Sequence, residues 1–384
     1  MLIFFFIVIS YCSANLYFFY KVTSVFDFGT AVDILTGSVV FLMTLLPVFI
    51  PIYSHKASQR SMKIISYTGY LWLAFLIIFF PVVSVLDLYN IAVHYSGPLI
   101  DRQMTAFLIP ADRTFFIPVF LSLTIVAYGY FEARNLRIER LVIHSPKLPK
   151  DPGKVRVAQI SDLHLSVTVG GYVIDKIIEI IEKEKPDIIV STGDLMDGVV
   201  RHVNHLSGSL RKLNARYGKF AVTGNHEFYG GLRHTVQFIE DSGFTVLRDR
   251  GVTAENIINI AGMDFTGTET RGYRNDAPRQ EERDVLSSLR PGLFTLLLKH
   301  KSDVTEEALG LFDLQLSGHS HKGQIFPVSL ATMFLFQYQT GFTTLSRGSA
   351  IYTSRGTGTA GPPVRFLSTP EVTIIDIVHR QGQG

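Results

Sequence analysis

The stretch Phe220-Ala221-Val222-Thr223-Gly224-Asn225-His226-Glu227 decides the fold. An apolar run stops at a glycine, and a carboxamide, an imidazole and a carboxylate follow at once. Such a run reads as a buried strand of an α/β sheet, and the end of such a strand is where these sheets gather their chemistry. One Gly-Asn-His-Glu is equally a plain turn. Its weight comes from the clusters around it.

Strand-like and helix-like segments alternate on both sides. Val155–Ile160, Asp187–Ser191, Phe220–Thr223, Ile257–Ala261, Leu293–Leu298, Leu314–Leu316, Ala350–Thr353 and Val372–Val378 are predicted strands. Val173–Lys185, Val200–Tyr217, Leu232–Ser242 and Glu281–Leu289 are predicted helices. The expected class is α/β, a layered domain of mixed β-sheets flanked by helices, because the last strands have no helix between them. Asn135 to Gly153, with Pro146, Pro149 and Pro152, reads as a linker holding a potential edge strand at Arg140–His144.

Five polar clusters close apolar runs. Ser161-Asp162-Leu163-His164 follows Val155–Ile160; on an extended chain, residues two apart point the same way, so Asp162 and His164 can reach one metal. Gly193-Asp194 follows Ile188–Ser191, and a carboxylate can bridge two cations. Asn225 offers a neutral oxygen, and His226 beside it is placed either to ligate or to donate a proton. Lys299-His300 closes Leu293–Leu298. Ser317-Gly318-His319-Ser320-His321 follows Leu314–Leu316, and His-x-His is a common chelating pair because alternate residues share a side. Each cluster alone reads as a turn or a surface histidine. Five of the 12 histidines falling at such ends is poorly explained by coincidence.

The order Asp-x-His, Gly-Asp, Gly-Asn-His-Glu, His, Gly-His-x-His resembles that of the calcineurin-like metallophosphoesterases, over about residues 154–380. Gly318-His319-Ser320-His321-Lys322-Gly323-Gln324 and Ser354-Arg355-Gly356-Thr357-Gly358 resemble the membrane-associated branch similar to UDP-2,3-diacylglucosamine hydrolases. The resemblance implies two divalent metal ions, with Mn, Fe or Zn suited to mixed N/O ligands. Asp162, His164 and His321 would hold one metal, Asn225, His300 and His319 the other, and Asp194 would bridge them. His226 would face the substrate as general acid while a metal-bridged hydroxide attacks phosphorus. The branch's His-x-Pro-Asp is replaced by His300-Lys301-Ser302-Asp303, which touches loop rigidity and no ligand. Asp197 and Glu227 read as carboxylates that orient an imidazole or a water, or as plain surface acids. His202 and His205 read as exposed.

Up to Phe131 the chain is mostly apolar, with 6 Lys/Arg and 5 Asp/Glu. Residues 1–20, 34–53, 64–85 and 114–131 carry no charged side chain, and each run approaches the ~20 residues that span a bilayer. A transmembrane region of four spans is expected, with residues 132–153 as linker, and with membrane lipids as neighbours. Lys56, Arg60 and Lys63 in one loop, and Arg134, Arg137, Arg140, Lys147 and Lys150 after the fourth span, place both termini and the catalytic domain on the cytoplasmic side. No ionisable residue sits mid-span, so the region reads as an anchor or a lipid-handling platform. The lone Cys12 allows no intrachain disulfide.

The net charge of +3 gives no broad basic footprint, which speaks against nucleic acid as partner. Phe326 to Phe336 carries no charge. It reads first as a core segment covering the sheet, and second as an apolar rim dipping into the membrane interface. The expected function is a membrane-anchored phosphoesterase cutting a phosphodiester or pyrophosphate bond, with a lipid-linked substrate in view. The alternatives are a nuclease or nucleotide phosphodiesterase, and a catalytically silent membrane-tethered scaffold.

Overall fold

Four helices dominate the first third of the chain: α1 (Leu2–Val25), α2 (Thr30–Tyr53), α3 (Gln59–Ile100) and α4 (Ala111–Glu132). All four are long and apolar enough to cross a membrane. The structure is a computed structural model that describes residues 2–26, 28–53, 57–100, 102–197, 203–266 and 280–380. The chain divides into two compact units. One is Met1–Phe131 with Ile325–Val328 and Gly361–Phe366; the other is Glu132–Gln324, Ser329–Ala360 and Leu367–Gly384.

In the first unit, aromatic side chains fill the centre of the bundle. Phe18 of α1 meets Trp72, Phe75 and Phe79 of α3 edge to face. Some buried polar groups are paired across helices, while Ser66 Oγ and Ser122 Oγ have no partner among the described residues. Trp72 Nε1 donates to Asn15 Oδ1 at 2.9 Å. Lys21 Nζ lies 2.6 Å from Asp87 Oδ1 and 3.5 Å from Thr114 Oγ1, and Tyr17 OH donates to the other carboxylate oxygen of Asp87. Lys21 and Asp87 both lie inside helices. At 42 residues α3 outruns the expected span 64–85. Its far end is held by Asn90, which exchanges two hydrogen bonds with the backbone of Ile109. The two late segments belong here because Ile325 and Val364 are buried with Ala74 and Ile78 of α3. Gly129 makes the fit possible: a Cβ there would stand 2.6 Å from Val364 Cγ1.

The second unit begins with β1 (Arg137–Ser145), which runs parallel to β12 (Glu371–His379) through nine paired residues. Residues 132–153 are therefore no free linker; they start the sheet. β2 (Lys154–Ile160), α5 (Gly171–Glu184), β3 (Ile188–Ser191), α6 (Ser207–Arg211), β4 (Lys219–Ala221), α7 (Asn225–Tyr229), α8 (Leu232–Asp241) and β5 (Thr245–Val246) follow. Then come β6 (Arg250–Ala254), β7 (Ile258–Gly262), α9 (Glu282–Ser287), β8 (Phe294–Leu298), β9 (Leu314–Ser317), α10 (Val328–Leu335), β10 (Gly341–Thr344) and β11 (Ala350–Thr353). The predicted helix 200–217 is shorter among the described residues, ending at Arg211. Residues 198–202, and His202 with them, lie outside the described residues, and only α6 and a 3₁₀ turn at Asn204–Leu206 are helical.

Two six-stranded mixed sheets result, ordered β1-β12-β2-β3-β4-β5 and β10-β11-β9-β8-β7-β6. They face each other across Val155, Val157, Val190, Ile260, Leu296 and Leu316, all buried. On the outer side of the first sheet, α5 offers Ile174, Ile177 and Ile181 at helical spacing. On the outer side of the second, Val285 and Leu286 of α9 pack on Leu297 and Ala261. β2, β3 and β4 are parallel neighbours, as are β8 and β9, so their carboxyl ends emerge side by side.

Candidate metal centre

The polar clusters meet at those strand ends. Past β2, the chain turns so that Asp162 has φ of 51° and His164 φ of 48°. This corrects the extended Asp-x-His geometry: left-handed backbone, not strand alternation, aims the two side chains. Asp194, His319 and His321 are left-handed too, with φ of 51°, 72° and 48°. The His-x-His pair likewise does not chelate from one side of a strand; its members point to separate groups.

One group joins Asp162, His164 and His321, and another joins Asp194, His300 and His319. In the first, His164 Nε2 is 3.0 Å from His321 Nε2, and His321 Nε2 is 3.3 Å from Asp162 Oδ1. In the second, His300 Nε2 is 3.0 Å from His319 Nδ1 and 3.1 Å from Asp194 Oδ2. The two meet at Asp194, whose Oδ2 is also 3.7 Å from His164 Nε2. Asn225 opens α7, and its carboxamide oxygen is buried with no hydrogen-bond partner among the described residues. An orphaned oxygen beside converging imidazoles and carboxylates fits a cation of hard or borderline character. The residues present therefore fit divalent metal.

His226 falls in a third grouping, with His164 and Asp194. Its Nδ1 lies 2.9 Å from Asp197 Oδ1, which leaves Nε2 as the free nitrogen. The side chain is about a quarter exposed (25 %), unlike His164 and His300.

Charge is sharply divided here. Burial opposes ionisation of Asp194, yet His300 and His226 hold its carboxyl well below the usual range. Burial and then His226 push His164 down to about 3; burial and then His300 push His319 down to about 3. Burial also opposes charge on His300, but Asp194 outweighs it and raises the imidazole to about 9. For His226, Asp194 and Asp197 outweigh burial and raise it to about 10.

Glu227 differs from its reading as a carboxylate that orients an imidazole or water. It is fully buried and accepts backbone N–H groups from Gly224 at 2.6 Å, Leu195 at 2.8 Å and Asp194 at 2.9 Å. It ties the Asp194 loop to the Asn225 loop. Burial and then Asp194 raise its pKa to about 7. His205 is exposed.

Several glycines are required by closeness. A Cβ on Gly224 would lie 2.1 Å from Asp194 Oδ1, and one on Gly318 2.1 Å from Asp162 Oδ2. Three supports were not singled out from the sequence. Ser161 Oγ donates to Asp162. Phe265 is buried against the rings of His300 and His319, at 5.8 and 5.9 Å. Thr357 and Gly358 donate backbone N–H groups to the carbonyls of Ser161 and Asp162. The late Gly-Thr-Gly was the only local signal for any of them.

Comparisons with known proteins identify the family. The family model for calcineurin-like phosphoesterases matches residues 155–323. An uncharacterized metallophosphoesterase of Aquifex aeolicus is 38% identical over 69% of this chain and 100% of its own length. One from Bacillus subtilis is 32% identical over 65% of this chain and 89% of its own. A transmembrane protein with metallophosphoesterase domain from Danio rerio is 27% identical over 74% of this chain and 68% of its own. The chain belongs to the calcineurin-like metallophosphoesterases, which are metal-dependent phosphoester hydrolases.

Proposed function

We propose that this protein hydrolyses a phosphodiester or pyrophosphate bond of a lipid-linked substrate, from a catalytic domain on the cytoplasmic side of the membrane. The observation that carries the reading is the convergence of two ligand groups on Asp194, with His226 beside them and backed by Asp197. Asp162, His164 and His321 would hold one ion, and Asn225, His300 and His319 the other, with Asp194 common to both. The mixed N/O donors suit Mn, Fe or Zn. When bound, such ions supply Lewis-acid stabilisation of phosphoryl oxygens and make water more acidic.

His226 has the remaining role. Asp197 accepts from Nδ1, so the ring is fixed with Nε2 turned away from that carboxylate. With an ion bound, part of the Asp194 charge would be taken up, and Asp197 would be the partner left to favour the protonated imidazole. Nε2–H can then donate to the departing oxygen, a contribution of about 10²–10⁴-fold. The four apolar helices keep this chemistry at a bilayer, which favours a substrate that is itself held there.

The test is hydrolysis of bis(p-nitrophenyl) phosphate by detergent-purified protein supplied with Mn²⁺, Fe²⁺ or Zn²⁺, with Asp194→Ala as control. Metal-dependent turnover that vanishes in the variant is expected. Turnover surviving in Asp194→Ala overturns the site. No turnover of diester, monoester or pyrophosphate by fully metallated protein favours a silent scaffold.

A further inference from the structure

From Ile325 to Ser346 the sequence contains no charged side chain. Within it, α10 reads Val-Ser-Leu-Ala-Thr-Met-Phe-Leu, and none of its residues is buried. Phe334 is 91 % exposed, Met333 61 % and Leu335 60 %. The reading of 326–336 as core is thereby corrected. A surface helix of a soluble protein turns an apolar stripe inward and a polar one outward. This helix turns its largest apolar side chains outward. An exposed apolar patch of this kind marks a contact surface.

Its Thr332 hydroxyl and the Ser329 carbonyl are already paired. Thr332 Oγ1 donates to Ser329 O at 3.0 Å, and Gln339 Nε2 donates to the same carbonyl at 2.9 Å. Ser320, between the two ligand histidines, donates to Gln339 O. The Thr332 hydroxyl can therefore enter an apolar medium without being stranded. Its start is fixed as well. Val328 N donates to Ile325 O at 2.9 Å, and Ile325 is buried among Ala74 and Ile78 of the membrane-crossing helix α3. α10 thus continues directly from a segment that belongs to the membrane unit. At its other end, the ring of Phe336 stands edge-on to the ligand His319, 5.4 Å between centroids.

We infer that α10 is an interfacial helix: it lies in the acyl boundary of the bilayer that α1–α4 cross, and lets the metal centre take its phosphoester from the membrane rather than from water. The occupant of the apolar face is lipid hydrocarbon, because the chain itself requires a bilayer and the segment leading into α10 packs with the membrane helices. The substrate part of this inference rests on the phosphoesterase reading; the insertion part does not.

The experiment uses the full chain in phosphatidylethanolamine/phosphatidylglycerol vesicles, with Cys12→Ser so that one introduced thiol can be labelled. An environment-sensitive fluorophore at Phe334→Cys is compared with one at Asp241→Cys, on the exposed end of α8. The Phe334 label is expected to shift to the blue and to be quenched by doxyl-labelled lipid, and the Asp241 label to do neither. In parallel, Phe334→Asp is assayed on bis(p-nitrophenyl) phosphate and on a dialkyl phosphodiester held in vesicles. The soluble substrate should stay within twofold of the parent, and the vesicle substrate should fall at least tenfold. A Phe334 label unmoved by doxyl lipid overturns the inference, as does self-quenching that disappears on dilution of the protein in the vesicles, which would mean a second copy covers the face. Equal loss on both substrates overturns lipid delivery. Quenching as expected with no turnover of either substrate leaves insertion standing and removes the phosphoesterase reading instead.

Discussion

Asp197 Oδ1 and His226 Nδ1 stand 2.9 Å apart, a carboxylate and an imidazole outside both ligand groups that meet at Asp194. A histidine so held has one nitrogen committed and one free. The pair is expected to separate chemistry from metal binding.

His226→Ala should lower kcat by about 10²–10⁴-fold while leaving metal content near that of the parent. Asp197→Asn should cost about 10–10²-fold, as for other groups that orient a reactive imidazole, and should move the alkaline limb of the pH–rate profile to lower pH, because the imidazolium loses its partner and gives up its proton more easily. Rate measurements beside elemental analysis check both. Metal lost in step with activity would assign His226 to the ligands.

Glu227 receives three short backbone hydrogen bonds from the two loops that carry Asp194 and Asn225. Glu227→Ala would leave those buried N–H groups unpaired, at about 1–3 kcal/mol each. The expected outcome is a clear fall in thermal midpoint together with loss of metal, read by calorimetry and elemental analysis. A merely exposed acid would do neither.

The Lys21–Asp87 pair joins α1 to α3, with Thr114 of α4 beside it. Asp87→Asn strands the ammonium and should destabilise the detergent-solubilised protein by about 3–5 kcal/mol if the site behaves as a buried pair. The double change Lys21→Met with Asp87→Leu should recover much of the loss. Thermal unfolding of the three forms decides it; a double variant no better than the single one would show that packing, not charge, is what matters there.

Asp376 accepts from Arg156 and Lys154, and Arg156 outweighs burial to hold its pKa at about 2. The folded-state pKa is depressed, so the stabilisation is present above the unfolded value near 4 and is lost as pH falls from there toward 2. Asp376→Asn should be less stable than the parent at pH 6, and the gap should close as the pH drops through this window. Denaturant melts at pH 6 and pH 3 measure it; a constant gap would mean the pair contributes nothing electrostatic.

What the sequence made legible was local. Leu293–Leu298 and Val372–Val378 are apolar runs between turn residues, and β8 and β12 lie there within a residue or two. The polar clusters were visible because each follows such a run. The way they reach one another was not visible, since it depends on left-handed backbone at Asp162, His164, Asp194, His319 and His321, which spacing does not encode. α7 is five residues long, too short to show a period, although it starts at the very Asn225 that organised the reading. Phe265 and the Lys21–Asp87 pair bring together positions distant in the chain. α10 was ambiguous for a different reason: an uncharged apolar run looks the same whether a sheet or a bilayer will cover it.

In chain order, segments of the first unit return after most of the second has been made, and this has a consequence for synthesis. Val364, fully buried, fills the place left by Gly129, and Ile325 sits among Ala74 and Ile78. The ribosome makes α1–α4 first, but the bundle stays incomplete until nearly the whole chain has emerged. A fragment starting at Glu132 would turn Ile325 and Val364 to water and inherit a tendency to aggregate. The part of this protein that is born first is finished last.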